Sequence, residues 1–203
     1  VTNRMRKEYE DKYEEEPGVT QCFKDLVKPG MIVLDVGANI GAYTRLALDL
    51  GARVVAFEPF LKSYTELVKL SCDKLLTFNR AVMDYDGDTR LYLSTVGHQQ
   101  HCTYKCFDKT EYITVGCIKI DNYDYMIRAD MVKIDVDGSE WEVLKGMEQL
   151  IEKNKHINII MEYNQSLIQK SGHDWVKFLL YIDQELKLKT IDLGDGNVLL
   201  QHK

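Results

Sequence analysis

The sequence predicts an α/β protein: a doubly wound, mostly parallel sheet closed by a C-terminal antiparallel hairpin. Three observations carry this. Short apolar runs that meet an acid near their end recur at 31–36, 53–58 and 131–136, the pattern of strands buried on both faces. Apolar residues at helical spacing follow each run. Residues 188–193 and 198–201 flank Gly194-Asp195-Gly196-Asn197, a hairpin signal.

The elements follow in order. Met5, Tyr9 and Tyr13 recur every fourth residue within a stretch of sixteen residues holding six acids and four bases, so one helical stripe can dock there. Pro17-Gly18 interrupts it. Met31-Ile32-Val33-Leu34-Asp35-Val36 reads as the first strand. Tyr43, Leu46, Ala47 and Leu50 mark a helix that Gly51 closes. Residues 53–58 form the next strand, Pro59 starts a helix with Leu61, Tyr64 and Val68 on one side, and residues 75–82 make a third strand. Residues 89–94 and 112–120 alternate like antiparallel strands. The α/β rhythm returns with a strand at 131–136, a helix through Trp141, Leu144, Met147 and Ile151, a strand at 157–162, and a helical stripe of Trp175, Leu179, Ile182 and Leu186.

The 203 residues suffice for one domain with a full core. The formal net charge of −6 disfavours a general nucleic-acid binder. No run approaches the roughly 18 apolar residues of a membrane span, and no basic-then-apolar leader is visible. Cys22, Cys72, Cys102, Cys106 and Cys117 are odd in number and contain no CxxC, so they read as reduced thiols in a cytoplasmic protein. A start at Val1 rather than Met suggests a chain that was cut from a longer polypeptide or processed.

Asp35-Val36-Gly37-Ala38-Asn39-Ile40-Gly41 joins a strand to a helix. A pyrophosphate cofactor favours G-x-G-x-x-G at a helix N-terminus. Here an acid precedes a G-x-x-x-G turn, and Asp35 would repel a phosphate. It suits a ligand that brings a cation, such as the amino-acid part of S-adenosylmethionine. Glu58 ends the next strand, where a doubly wound site places a carboxylate for ribose hydroxyls. Phe60 is placed to pack on adenine. Pro59, Tyr43 and Ala81 complete the expected cofactor wall.

These segments resemble the class I S-adenosylmethionine-dependent methyltransferases, and more narrowly the FkbM family. The resemblance rests on residues 33–44, on Phe57-Glu58-Pro59, and on Val132-Lys133-Ile134-Asp135-Val136-Asp137-Gly138-Ser139-Glu140 with Val143-Leu144-Lys145-Gly146. It implies one Rossmann-like domain over 1–203, with 1–27 as an N-terminal helical extension outside the motif match. It also implies methylation of hydroxyl oxygens, often on sugars or polyketide-type products. Asp137 stands where the family more often has Glu.

The reacting end is expected at Asp135, beyond the strand that follows the reversal of the sheet. Asp135, Asp137 and Glu162 are candidate proton acceptors, with His98 and His101 reaching in from a polar loop. Glu140 reads as a helix first-turn acid held by the dipole. Asp135, Glu162 and Asn164 form an alternative set of three hard oxygen ligands for Mg²⁺. His98, His101, Cys102 and Cys106 match no common zinc spacing and read as a substrate lid. Lys133 reads as structural or solvent-facing, and Tyr104, Tyr163 and Trp175 as flat faces for a sugar. The expected acceptor is a sugar, a glycan or a natural-product hydroxyl, with no nucleic acid and no membrane. The rivals are an RNA ribose 2′-O-methyltransferase and a non-catalytic binding module.

Overall fold

The computed structural model describes residues 3–94, 101–105, 111–123 and 128–203. Two helices, α1 (Asn3–Glu15) and α2 (Pro17–Leu26), precede the first strand. The main sheet then alternates: β1 (Ile32–Val36), α3 (Ala42–Asp49), β2 (Arg53–Phe57), α4 (Leu61–Leu67) and β3 (Leu75–Phe78). A small sheet intervenes with β4 (Ala81–Val82), β5 (Gly87–Tyr92) and β6 (Tyr112–Ile118). The main sheet resumes with β7 (Met131–Ile134), α5 (Glu140–Lys145), α6 (Glu148–Lys153), β8 (Asn158–Glu162), α7 (Gln165–Lys170), α8 (Trp175–Leu180), β9 (Leu188–Gly194) and β10 (Asn197–His202).

Seven strands run in the order β3-β2-β1-β7-β8-β10-β9, parallel except around β10. The doubly wound sheet and its closing hairpin are those expected. Alternation along each strand splits the core in two. Leu34, Val36, Val132, Ile134, Ile159 and Met161 face α5 to α8. Val33, Val54, Ala56, Met131 and Ile160 face the layer of α1 to α4. Between β1's two neighbours the crossovers run in opposite directions, so a crevice opens at the carboxyl ends of β1, β2 and β7.

Several expectations are corrected. The segment 75–82 is two strands in two sheets: β3 pairs with β2, and β4 pairs with β6. At the Asn79-Arg80 turn between them, the Asn79 side-chain amide donates to the Glu58 and Pro59 carbonyls at 2.8 and 3.0 Å. Helix α4 begins at Leu61 rather than Pro59, because Glu58 Oε1 draws the Phe60 amide into a turn at 2.7 Å. The helix expected through 141–151 is two, α5 and α6, because Asp121 accepts from the Gln149 and Leu150 amides at 2.8 and 3.0 Å and starts a new helix there. The stripe at 175–186 breaks after α8 into a wider turn over Tyr181–Glu185. The antiparallel pair expected at 89–94 and 112–120 is present as β5 and β6.

Candidate active site

The loop after β1 is built for close approach. Gly37 has φ +83°, and a Cβ there would lie 1.9 Å from the Asp135 carbonyl oxygen, so the ends of β1 and β7 meet only over a glycine. The Gly37 and Ala38 amides donate to the Phe57 carbonyl at 3.0 and 2.9 Å. Glu58 then binds both sides of the crevice: Oε2 accepts from the Asn39 amide at 2.8 Å and Oε1 from the Phe60 amide. Burial pushes the Glu58 carboxyl up to about 7, partly offset by those two amides. Asp35 is 2% exposed and accepts from Thr44 Oγ1 at 2.5 Å. Burial raises it to about 6, with the Thr44 bond and Lys133 opposing.

A cleft of about 280 Å³ runs along these residues to the end of β8. Asp35, Gly37, Ala38, Asn39, Tyr43, Glu58, Pro59, Ala81, His101, Asp135, Asp137 and Glu162 all line it. Gly41 instead turns toward Leu67 and Leu70 at the start of α3. Phe60 is not on the lining, and its ring centre lies 4.1 Å from that of His101. His98 and Cys106 lie outside the described residues.

Two lysines converge on Asp135. Lys133 precedes it by two positions on the same face of β7, and its Nζ is 3.4 Å from Asp135 Oδ2. Lys133 is 1% exposed, covered by α3, with its ammonium 5.3 Å from the centre of the Tyr43 ring. The solvent-facing reading of Lys133 is therefore corrected: its face of the sheet is the one roofed by helices. Lys12, on α1, is 3.2 Å from the same Asp135 oxygen. Burial works against ionisation of Asp135, but Lys133 and Lys12 outweigh it and hold the carboxyl at about 2. Glu162 has the opposite setting: burial first, then Asp135, raise it.

Sequence reasoning missed the contribution of α1. Glu8, Lys12 and Glu16 line the cleft. Tyr9 donates to the Ile40 carbonyl at 3.0 Å, Tyr13 to the Ala42 carbonyl at 2.6 Å, and Tyr43 to Glu16 Oε2 at 2.9 Å. The charged face with a Met-Tyr-Tyr stripe was visible in the sequence, but not what its charges would face.

The segment 101–105 covers the far end. It bridges to β5 through Cys102 and Tyr92. Thr103 pairs with Ser139 through their hydroxyls, and Tyr104 lies over Gly138, where a Cβ would come within 2.7 Å of its ring. His101 Nδ1 accepts from the Ser94 amide at 3.0 Å. Asp137 takes φ +51°, which a short acidic side chain tolerates. Glu140 is 2% exposed and accepts from the Gly138 amide, so it shapes this loop from behind; burial raises it to about 8.

Three other candidate groups are engaged elsewhere in the fold. Asn164 Oδ1 caps α7, accepting from the Ser166 and Leu167 amides at 3.1 and 3.3 Å, so the set Asp135, Glu162 and Asn164 is not assembled for a metal. Tyr163 and Trp175 pack on each other at 4.7 Å and on Phe178, away from the cleft. Cys102 is buried, with its Sγ donating to the Tyr104 carbonyl. Among the described residues no group of three His, Cys, Asp or Glu side chains is placed to hold a metal.

The model of the Methyltransferase FkbM domain family matches residues 35–187. The chain belongs to the FkbM methyltransferase family. No curated protein matches the chain in sequence. Among solved structures, the FkbM chain is similar to a TehB-like SAM-dependent methyltransferase from Corynebacterium glutamicum, with 8% identity, full coverage of both chains and a TM-score of 0.51. It is also similar to the 1,6-didemethyltoxoflavin-N1-methyltransferase of Burkholderia thailandensis, with 11% identity, 98% of this chain, 83% of that one and a TM-score of 0.50. An rRNA methylase from Streptococcus thermophilus gives 11% identity, 89% and 91% coverage and a TM-score of 0.50. At these identities the likeness is one of fold. The cofactor of this FkbM methyltransferase is S-adenosylmethionine, and the cleft fits it. The Asn39 Oδ1 atom is buried without a protein partner, the glycine turn admits close approach, and the carboxylates suit two cationic centres.

Proposed function

We propose that this chain transfers a methyl group to a hydroxyl oxygen of a sugar, a glycan or a similar polyhydroxy acceptor. The observation that carries this reading is the polarity of the cleft's far end. Asp135, Asp137 and Glu162 line it from the ends of β7 and β8, and Thr103 and Ser139 line it with hydroxyls. Such a wall suits an acceptor that needs many hydrogen bonds and offers little to an apolar ring.

S-adenosylmethionine supplies an electrophilic methyl group on a sulfonium. The protein's part is to hold the acceptor oxygen in line and to take its proton. Orientation alone accounts for much of the barrier reduction. For the proton, two neighbouring carboxyls are pushed apart in basicity, which assigns their roles. Asp135, held ionised by two ammoniums, orients. Glu162, raised by burial and by Asp135, accepts the proton. His101, fixed by the Ser94 amide and Phe60, positions the acceptor from the opposite side.

The test is transfer of labelled methyl from S-adenosylmethionine to a panel of saccharides, polyhydroxy natural products and RNA. The expected product is an alkali-stable methyl ether on a saccharide. Label confined to RNA, or to a nitrogen of a small molecule, overturns the reading.

A further inference from the structure

The first strand and the glycine turn flank the amino-acid part of the cofactor and Glu58 its ribose, and all lie in the region shared with the family or just before it. The wall made by α1 does not: it precedes residue 35, where the family match begins. That wall brings one cation, Lys12, into a cleft otherwise dominated by acids. Its Nζ lies 3.0 Å from Glu16 Oε1 and 3.2 Å from Asp135 Oδ2. An ammonium has three donors, so one remains beyond these two bonds, and the side chain is 32% exposed.

The methyl donor's amino-acid end carries an ammonium and a carboxylate. Acids for the ammonium are plentiful here, with Asp35, Glu16 and Asp135 on the lining. A carboxylate among those acids is repelled unless a cation meets it. Three described side chains that line the cleft carry a permanent positive charge: Lys12, Lys133 and Arg80. Lys133 Nζ makes no hydrogen bond within the protein, but it is 1% exposed beneath Tyr43 and faces Asp135 at 3.4 Å. Arg80 lies across the cleft, its guanidinium against Gly116 of the small sheet, where a Cβ would come within 2.0 Å of Nη1. Of the three, Lys12 combines an open donor with side-chain exposure, 32% against 1% for Lys133, and with a place beside the glycine turn. It also rides on a fixed element, because Tyr9 and Tyr13 bond the carbonyls of Ile40 and Ala42 in that turn.

We propose that Lys12 receives the α-carboxylate of S-adenosylmethionine, so that α1 is part of the cofactor site. Asp135 and Glu16 keep the ammonium charged and aimed, and Asp135 is then shared between Lys12 and the cationic groups of the donor. The inference concerns the cofactor and stands apart from the identity of the acceptor.

The experiment is a two-by-two comparison by titration calorimetry on the whole chain, with S-adenosylmethionine and its decarboxylated analogue as probes. The unmodified protein is expected to prefer S-adenosylmethionine by at least about tenfold, the low end for a charged hydrogen bond. Lys12→Met is expected to collapse that preference to within about threefold, by weakening S-adenosylmethionine and leaving the analogue nearly unchanged. Lys12→Arg, which keeps the cation, is expected to retain most of the preference. Because both probes meet the same variant, general damage to the fold weakens both alike. Equal weakening of both probes, or an undiminished preference in Lys12→Met, overturns the proposal.

Discussion

Asp135 and Glu162 show how two carboxyls of one cleft acquire different work from their surroundings. Each ends a strand, and each lines the same space. Asp135 faces two ammoniums and sits at about 2; Glu162 faces Asp135 and lies above the ordinary glutamate range. A base must be ionised to accept a proton, so turnover is expected to rise with pH through the raised Glu162 titration. Glu162→Gln should lower kcat at least about tenfold and flatten that rise, while S-adenosylmethionine affinity stays within about threefold. A pH–rate profile of the two proteins checks this; an unchanged acidic limb in Glu162→Gln moves the base elsewhere. Glu58 makes a second residue-level prediction. Its carboxylate organises the turn through the Asn39 and Phe60 amides. Glu58→Ala is expected to weaken S-adenosylmethionine by about tenfold or more, the loss of charge-assisted bonds, measured by calorimetry.

At the scale of elements, close packing sets the tolerances. Helix α2 lies so near the hairpin that a Cβ on Gly18 would fall 1.9 Å from the Leu193 carbonyl oxygen, a backbone atom that cannot swing aside. Gly18→Ala should therefore destabilise by about 1–3 kcal/mol, the usual cost of overpacking, seen as a lower thermal midpoint; an unchanged midpoint would show that α2 slides freely along β9. What could be read from the sequence follows the same physics. Strands β1, β2, β7 and β8 were legible because burial on both faces makes them continuously apolar. The glycine turn and Glu58 were legible because a site at strand ends needs both. The split of 75–82 was not, since the Asn79-Arg80 turn depends on carbonyls contributed by Glu58 and Pro59. Lys133 stayed open between a structural and a solvent-facing role for a related reason: the sequence does not say which face of a strand is roofed by helices. Asn164, the third member of the alternative metal set, is a helix cap, two uses of one amide oxygen that spacing does not separate.

For the molecule as a whole, three buried acids set the dependence of stability on pH. Asp35, Glu58 and Glu140 are raised to about 6, 7 and 8 by burial. Above the roughly 4 at which an unfolded chain releases these protons, the native state binds more protons than the unfolded one. Stability then falls as pH climbs from about 4 to about 8. Asp135 works with the opposite sign: the stability from its ion pairs is present above about 4 and is lost as pH falls toward 2. Calorimetric midpoints are expected to decline between pH 5 and pH 8.5 in the ligand-free protein, estimated from the same proton linkage. S-adenosylmethionine should shrink that decline, because its cations favour the ionised acids. A midpoint that rises over this range would show that the three carboxyls ionise without cost.

The seating of α1 has one more outcome, in time rather than in energy. Met5 and Tyr9 are buried against the same layer that carries the glycine turn, and the helix they anchor forms a wall of the cleft. A molecule lodged against that wall is released fastest when the wall withdraws. The residence time of the spent donor is therefore expected to follow the undocking of a thirteen-residue helix.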